Sequence, residues 1–189
     1  MALAASVGGL DALSEVLAAL PADFPAPIVL VLHISATSGT MLPHILGRRT
    51  QLRVKQAETS DRLCRGTVYT APPDMHLLVK ADGILLLTHT ERVHFTRPSA
   101  DTLFESVADS YRERAIAVVL TGTGCDGGTG VQAIHDRGGT VIVQDEASSH
   151  AFGMPGNAIN TGIVDHILSL KQIPLCLMNL VTTGEVGEA

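Results

Sequence analysis

The sequence predicts an α/β fold, a mostly parallel, doubly wound sheet with a Rossmann-like three-layer arrangement and one small antiparallel hairpin. Three observations lead there. Ile28 to Leu32, Ala115 to Leu120 and Thr140 to Gln144 are near-continuous apolar runs, the pattern of strands buried on both faces. Segments with apolar residues at helical spacing lie between the strands. Aromatic residues make up only 3% of the chain and Trp is absent, so the core must be built from Val, Ile, Leu and Ala. With 189 residues, 46% of them hydrophobic, one well-buried domain is expected over residues 1–180, and VTTGEVGEA at 181–189 is expected to be a disordered tail.

Met1 to Ala5 is read as a strand because a small-residue turn and a good helix follow it. In that helix Leu10, Leu13, Leu17 and Leu20 share a face, Asp11 suits the positive end of the macrodipole, and Pro21 marks the stop. After Ile28–Leu32, a helix is expected to start near Ser38-Gly39, take Pro43 in its first turn and end around Arg48-Arg49. Leu52 to Ala57 and Thr67 to Ala71 read as strands. His76 to Lys80 and Ile84 to Thr88, joined through Ala81-Asp82-Gly83, give the hairpin.

Ser99 or Asp101 is placed to cap a helix whose buried stripe is Leu103, Phe104, Val107, Ala108 and Tyr111. Beyond the strand 115–120 and its glycine-rich loop, a helix carries Val131 and Ile134, and Gly138-Gly139 closes it. Thr140–Gln144 is the last strong strand. Asp145 to Ala151 reads as a surface loop, Phe152 to Pro155 turns into a short helix, and Pro174 starts a final helix through Leu180.

Composition narrows the function. The net charge of −6 comes without a basic block, which argues against nucleic acid as a partner. Cys64, Cys125 and Cys176 are odd in number and far apart, so neither a disulfide framework nor a zinc site is suggested, and a reducing cytoplasm fits. No apolar run reaches the roughly 18 residues of a membrane helix, and no signal peptide opens the chain. The eight histidines lack metal-ligand spacing, so no metal and no cofactor is expected.

Chemistry concentrates at strand ends. Ser6 lies in the turn between the first strand and its helix, where free N–H groups make a good setting for a nucleophile. His33 and Asp126 also follow strands, and an open parallel sheet binds ligands at its carboxyl edge. Taken singly, Ser6 is a candidate N-cap, His33 a satisfied strand-end histidine and Asp126 a helix cap; their coincidence on one edge raises a Ser-His-Asp constellation. The order Ser, His, Asp differs from that of the α/β-hydrolases, and Ala4 stands where G-x-S-x-G has its first Gly.

A competing motif is Gly122-Thr123-Gly124-Cys125-Asp126-Gly127, which satisfies G-x-G-x-x-G between a strand and a helix, with Asp145 ending the next strand. That pattern raises a dinucleotide-binding protein. Asp126 opposes it, because a carboxylate would stand where the pyrophosphate lies, and a tight crossover needs small residues whatever it binds. Cys125 is read as a small residue packing in that turn rather than a reactive thiol.

The blocks ASVGGLDAL, LHIS, VYTAPPDMHLLV, RPSADTLFESVA, LTGTGCDG, VIVQDEASSHAFGMPGNAI and GIVDHILSL resemble the catalytic domain of the CheB-type chemotaxis receptor methylesterases over nearly the whole chain. The resemblance implies a cytoplasmic serine hydrolase that demethylates glutamate methyl esters on chemoreceptor helices, releases methanol and in some members deamidates glutamine. It places the nucleophile on Ser6, the histidine on His33 and the aspartate on Asp126, with backbone donors near Val7 and Thr123 as oxyanion candidates. The chain departs from the family at both: Val7 replaces a Ser or Thr, and Thr123 replaces a Met. The family's receiver domain is not found within these 189 residues. Met154-Pro155-Gly156 matches the family's GMP block and is read as loop-shaping. A receptor-docking pseudoenzyme of the same fold is the alternative.

Overall fold

The computed structural model describes residues 1–34 and 41–183. Seven strands form one parallel sheet: β1 (Ala2–Ala5), β2 (Ile28–Leu32), β3 (Arg53–Gln56), β4 (Thr67–Thr70), β7 (Ile116–Val119), β8 (Thr140–Gln144) and β9 (His166–Leu168), in the order β3-β4-β2-β1-β7-β8-β9. Strands β5 (His76–Val79) and β6 (Leu85–Thr88) pair antiparallel as a separate hairpin. The helices are α1 (Gly9–Ala18), α2 (Leu42–Gly47), α3 (Ala100–Tyr111), α4 (Gly128–Asp136), α5 (Gly153–Asn160) and α6 (Ile173–Thr183).

Alternation along each strand sorts side chains into two cores. Ala2, Ala4, Val29, Val31, Val119 and Val143 pack with Phe104, Val131, Met154 and hairpin residues Leu77 and Leu85, beneath α3, α4 and α5. Leu3, Ala5, Leu30, Val118 and Ile142 pack with Leu13, Leu17, Leu46 and Leu177, beneath α1, α2 and α6. Because both faces are covered, β2 and β8 carry the continuous apolar runs seen in the sequence.

Most departures from the expected elements concern the ends. The expected helix start at Ser38-Gly39 lies outside the described residues; α2 runs from Leu42 with Pro43 in its first turn. Helix α6 continues to Thr183 rather than ending at Leu180, so residues 181–183 of the expected tail are helical, and residues 184–189 lie outside the described residues. Strand β9 was not expected. It has three residues and no fully buried side chain, and only its pairing with β8 makes it a strand.

The chain leaves β1 toward β2 and β4, then returns to place β7 on the other side of β1. The strand order reverses there, and crevices at such a reversal are where open α/β sheets bind ligands.

Candidate active site

Register brings the first two residues together. Ala5 pairs with Leu32 in the β1–β2 ladder, and the His33 N–H donates to the Ala5 carbonyl at 3.0 Å. Ser6 and His33 are thus the next residues along two neighbouring parallel strands, both leaving the carboxyl edge. On the other flank of β1, the Ser6 N–H donates to the carbonyl of Thr121, just after β7, at 3.0 Å. The nucleophile candidate is held between its two neighbours at the switch point.

Ser6 is not an N-cap. The cap of α1 is Gly8, left-handed at φ 76°, and no side chain caps that helix. A Cβ on Gly8 would stand 2.6 Å from the His150 Cβ, so only Gly permits both the backbone angle and the packing of the 145–151 segment on this turn. Gly122 serves the other side: a Cβ there would lie 2.5 Å from the Met154 sulfur and 2.8 Å from the Ser6 Cβ. Met154 is fully buried, and its N–H donates to the Gly122 carbonyl at 2.9 Å.

Asp126 completes the group. Its carboxylate, 2% exposed, accepts from His33 Nε2 at 2.7 Å. It also accepts from Ser99 Oγ at 2.8 Å, Thr96 Oγ1 at 3.2 Å and the backbone N–H groups of Ala100 at 2.7 Å and Asp101 at 3.1 Å. Burial pushes this carboxyl upward, but His33 and the two N–H groups outweigh it and hold it below the usual carboxylate range. Asp126 is therefore held ionised beside the His33 ring.

The sequence expectation for the cap of α3 is corrected. Ser99 occupies the N-cap position, but its hydroxyl turns to Asp126, and Asp126 itself satisfies the first N–H groups of α3. Asp101, the other candidate, caps the neighbouring helix: its Oδ1 accepts from Gly127 at 3.0 Å and Gly130 at 2.6 Å, at the start of α4. Each aspartate caps the helix that follows the other. Burial foremost, with Asp126 adding like charge, raises the Asp101 carboxyl to about 6.

This exchange removes the dinucleotide reading. The N-terminus of α4, where a pyrophosphate would sit, already holds the Asp101 carboxylate. Gly130, rather than approaching a phosphate, makes room for Asp101 and Phe104, whose Cβ would be 2.7 Å from an added Cβ. Asp145, the supposed ribose acid, accepts from Ser148 N at 2.9 Å and Ser148 Oγ at 2.6 Å within its own turn.

Val7 is 44% exposed, Thr123 is exposed, and no hydrogen bond among the described residues engages the backbone N–H of either. Both amides are available as donors. Next to His33 a cleft of about 310 Å³ is lined by Ile34, Arg92, Phe95, Thr96, Arg97 and Pro98, with Phe95 95% exposed. A larger cavity of about 530 Å³ opens near Met1, Pro27, Ile116 and Thr140, at the amino edge of the sheet and away from this chemistry. Sequence reading singled out none of Thr96, Ser99, Arg92 or Phe95 for the site. Ser99 and Thr96 reach Asp126 through contacts some thirty residues distant; the RPSAD block beside a helix start hinted at Ser99, and no sequence signal pointed to Thr96.

His76 shows a different use of histidine. It is fully buried, accepts from the Ser99 N–H through Nδ1 at 3.2 Å and donates from Nε2 to the Glu91 carbonyl at 2.9 Å, fixing the entry to α3. No helix among the described residues is long and apolar enough to cross a membrane.

Comparison with known proteins identifies the family and the fold. The CheB methylesterase family matches residues 1–177. Protein-glutamate methylesterase FrzG of Myxococcus xanthus is 44% identical over 181 residues, covering 96% of this chain and 54% of the relative. A protein-glutamate methylesterase/protein-glutamine glutaminase of Maricaulis maris is 42% identical, covering 92% of this chain and 44% of the relative. The chain thus spans about half the length of these two, whereas a Leptospira interrogans relative at 40% identity is covered over 87% of its length. The crystal structure of the Thermotoga maritima CheB methylesterase catalytic domain superposes with a TM-score of 0.91 at 36% identity, covering 95% of this chain and 96% of that one. With its parallel sheet, its hairpin and its match across residues 1–177, the chain belongs to the CheB methylesterase family.

Proposed function

We propose that residues 1–180 form a cytoplasmic protein-glutamate methylesterase domain, a serine hydrolase that removes methyl groups from glutamate side chains on chemoreceptor helices and releases methanol. Ser6 is the nucleophile, His33 the general base and Asp126 its orienting carboxylate. The observation that carries this reading is the 2.7 Å bond from His33 Nε2 to a buried, ionised Asp126, with Ser6 next to His33 in register.

The bond fixes the tautomer. Nε2 is spent on Asp126, so Nδ1 is the nitrogen left to take the Ser6 proton as Oγ attacks the ester carbonyl. The imidazolium then gives that proton to the departing methoxide. Water, activated by the same nitrogen, hydrolyses the acyl-enzyme and frees Ser6. The Val7 and Thr123 N–H groups supply the oxyanion site, a contribution of about 3 kcal/mol per donor in other enzymes. Because those donors are backbone groups, their side chains can differ from the family pattern without removing them. With ammonia as leaving group the same route deamidates glutamine. No cofactor enters any step.

The cleft beside His33 suits a protein substrate, since Arg92 and Phe95 offer a positive and an apolar contact for a helix carrying acidic residues. The test is methanol release from methylated receptor by wild-type protein and by Ser6→Ala. Release by wild type alone supports the assignment. Equal release from both sinks the mechanism, and receptor binding without release by wild type identifies a docking protein instead.

A further inference from the structure

A second histidine–aspartate pair stands beside the first. Asp101 Oδ1 is saturated by the α4 N–H groups, but Oδ2 is the buried side-chain oxygen without a hydrogen-bond partner among the described residues. It faces His94, whose Nε2 lies 3.2 Å away, close enough for an ion pair yet not aligned as a hydrogen bond. The other ring nitrogen, Nδ1, is 3.6 Å from the sulfur of Cys125. The imidazole thus bridges a thiol and a buried carboxylate. The three groups follow one another in a line rather than surrounding a point, and no metal-holding cluster of such residues occurs among the described residues.

Cys125 is exposed, not packed in the turn as its size suggested. His94 is 43% exposed and held at φ 48°, so the ring reaches over the loop from the segment that precedes α3. A thiol needs such a base to become a nucleophile, and the base needs an acceptor behind it. His94 takes no part in the chemistry assigned to Ser6, His33 and Asp126, and Asp101 meets that group only through its N–H on the Asp126 carboxylate and the like charge between the two.

We propose that Cys125, His94 and Asp101 form a thiol relay that makes Cys125 a modification site for hydroperoxides. His94 Nδ1 takes the thiol proton as the sulfur attacks one peroxide oxygen. The O–O bond breaks, the S–O bond forms, and the proton passes to the departing hydroxide. Thiol and hydrogen peroxide thus yield a sulfenic acid and water, the sulfur losing two electrons and the peroxide gaining them. The Nε2 side of the ring faces the unpartnered Asp101 oxygen at 3.2 Å, which gives the transferred proton's charge a partner. The product stands one residue before Asp126, in the loop whose Gly122 touches Ser6.

The chain carries its own controls. Cys64 is exposed, but its thiol donates to the Arg62 carbonyl at 3.4 Å and no imidazole faces it among the described residues. Cys176 is buried, and burial raises its thiol. The folded protein is treated with hydrogen peroxide, trapped with a 1,3-dicarbonyl reagent specific for sulfenic acid, and mapped by peptide mass spectrometry over time. Cys125 is expected to label roughly tenfold or more faster than Cys64, within the range of general-base assistance, and Cys176 not at all. His94→Gln should bring Cys125 down to the Cys64 rate, Asp101→Asn should slow it, and Ser6→Ala should leave it unchanged, with melting curves confirming that each variant is folded. Labelling of Cys64 as fast as Cys125, or a Cys125 rate in folded His94→Gln within about twofold of wild type, overturns the relay.

Discussion

Replacing Asp126 by Asn tests the site and the fold in one variant. The carboxylate accepts from five donors: Ser99 Oγ and Asp101 N at Oδ1, and His33 Nε2, Thr96 Oγ1 and Ala100 N at Oδ2. An amide has one acceptor oxygen and one NH2, so whichever way it turns, the NH2 confronts a backbone N–H that cannot reverse its polarity. Turned toward Oδ1 it orphans Asp101 N; turned toward Oδ2 it orphans Ala100 N and forces His33 into the tautomer whose Nδ1 carries the proton. One buried unpaired N–H costs about 1–3 kcal/mol, and the remaining charge-assisted bonds become neutral ones, about half as strong. We expect a loss of about 3 kcal/mol, a fall in melting temperature of about 6–12 °C for a domain of this size. Activity should fall on the order of 10⁴-fold, as when a triad loses its orienting charge. Thermal unfolding and the methanol assay read the two effects separately. If activity stays within about threefold while the melting temperature falls, Asp126 is a helix cap alone, and the triad assignment fails.

Three further outcomes follow from the same geometry. Asp101, raised to about 6 in the fold against roughly 3.9 unfolded, binds an extra proton when folded between those values, so its contribution to stability is full below about pH 4 and is lost as pH rises to 6. Asp126 contributes with the opposite sign: its stabilisation is present above roughly pH 3.9 and is lost as pH falls through its depressed folded value. Asp101→Asn, which keeps Oδ1 on the α4 N–H groups, should flatten the melting temperature between pH 4 and 6 and match or exceed wild type at pH 7; a lower value with the slope intact contradicts the pairing. Gly122→Ala should cost about 1–3 kcal/mol and displace Ser6, because the new methyl overlaps Met154 and Ser6; wild-type melting and turnover would refute the close approach. Arg92→Glu, at an exposed cleft residue, should raise KM for receptor with kcat retained and leave a small methyl ester unaffected; an unchanged KM removes Arg92 from substrate contact.

How much was legible in the sequence depended on how local each signal was. Strands β2 and β8 were placed residue for residue, since burial on both faces writes a continuous apolar run. His33 and Asp126 could be put on one edge because each follows such a run, and Ser6 joined them because a small-residue turn and a helix follow Met1 to Ala5. Strand β9 carried no comparable signal: it is short, Ile167 is exposed, and its hydrogen bonds come from β8. The caps were misassigned for a related reason. A serine or aspartate before an apolar stripe ordinarily caps its own helix, but here Ser99 and Asp101 turn away from α3, whose cap arrives from Asp126. Composition also misled at Cys125, because the small size that suits a tight turn says nothing about which way the side chain points.

The exchanged caps explain why two aspartates at neighbouring helix starts carry opposite shifts. Both are buried and both face backbone N–H groups, so neither desolvation nor helix dipoles separate them. The difference is the number of donors. Asp126 collects two hydroxyls and an imidazole in addition to its N–H groups, whereas Asp101 leaves one oxygen without a hydrogen bond. Two ionised carboxylates so close repel, and the charge settles on the better-solvated one. The proton taken up by the pair therefore resides on Asp101, and Asp126 keeps its charge beside the His33 ring. A substitution that removes donors from Asp126, such as Ser99→Ala, should shift that balance, lowering the Asp101 value and raising that of Asp126 without touching Ser6 or His33.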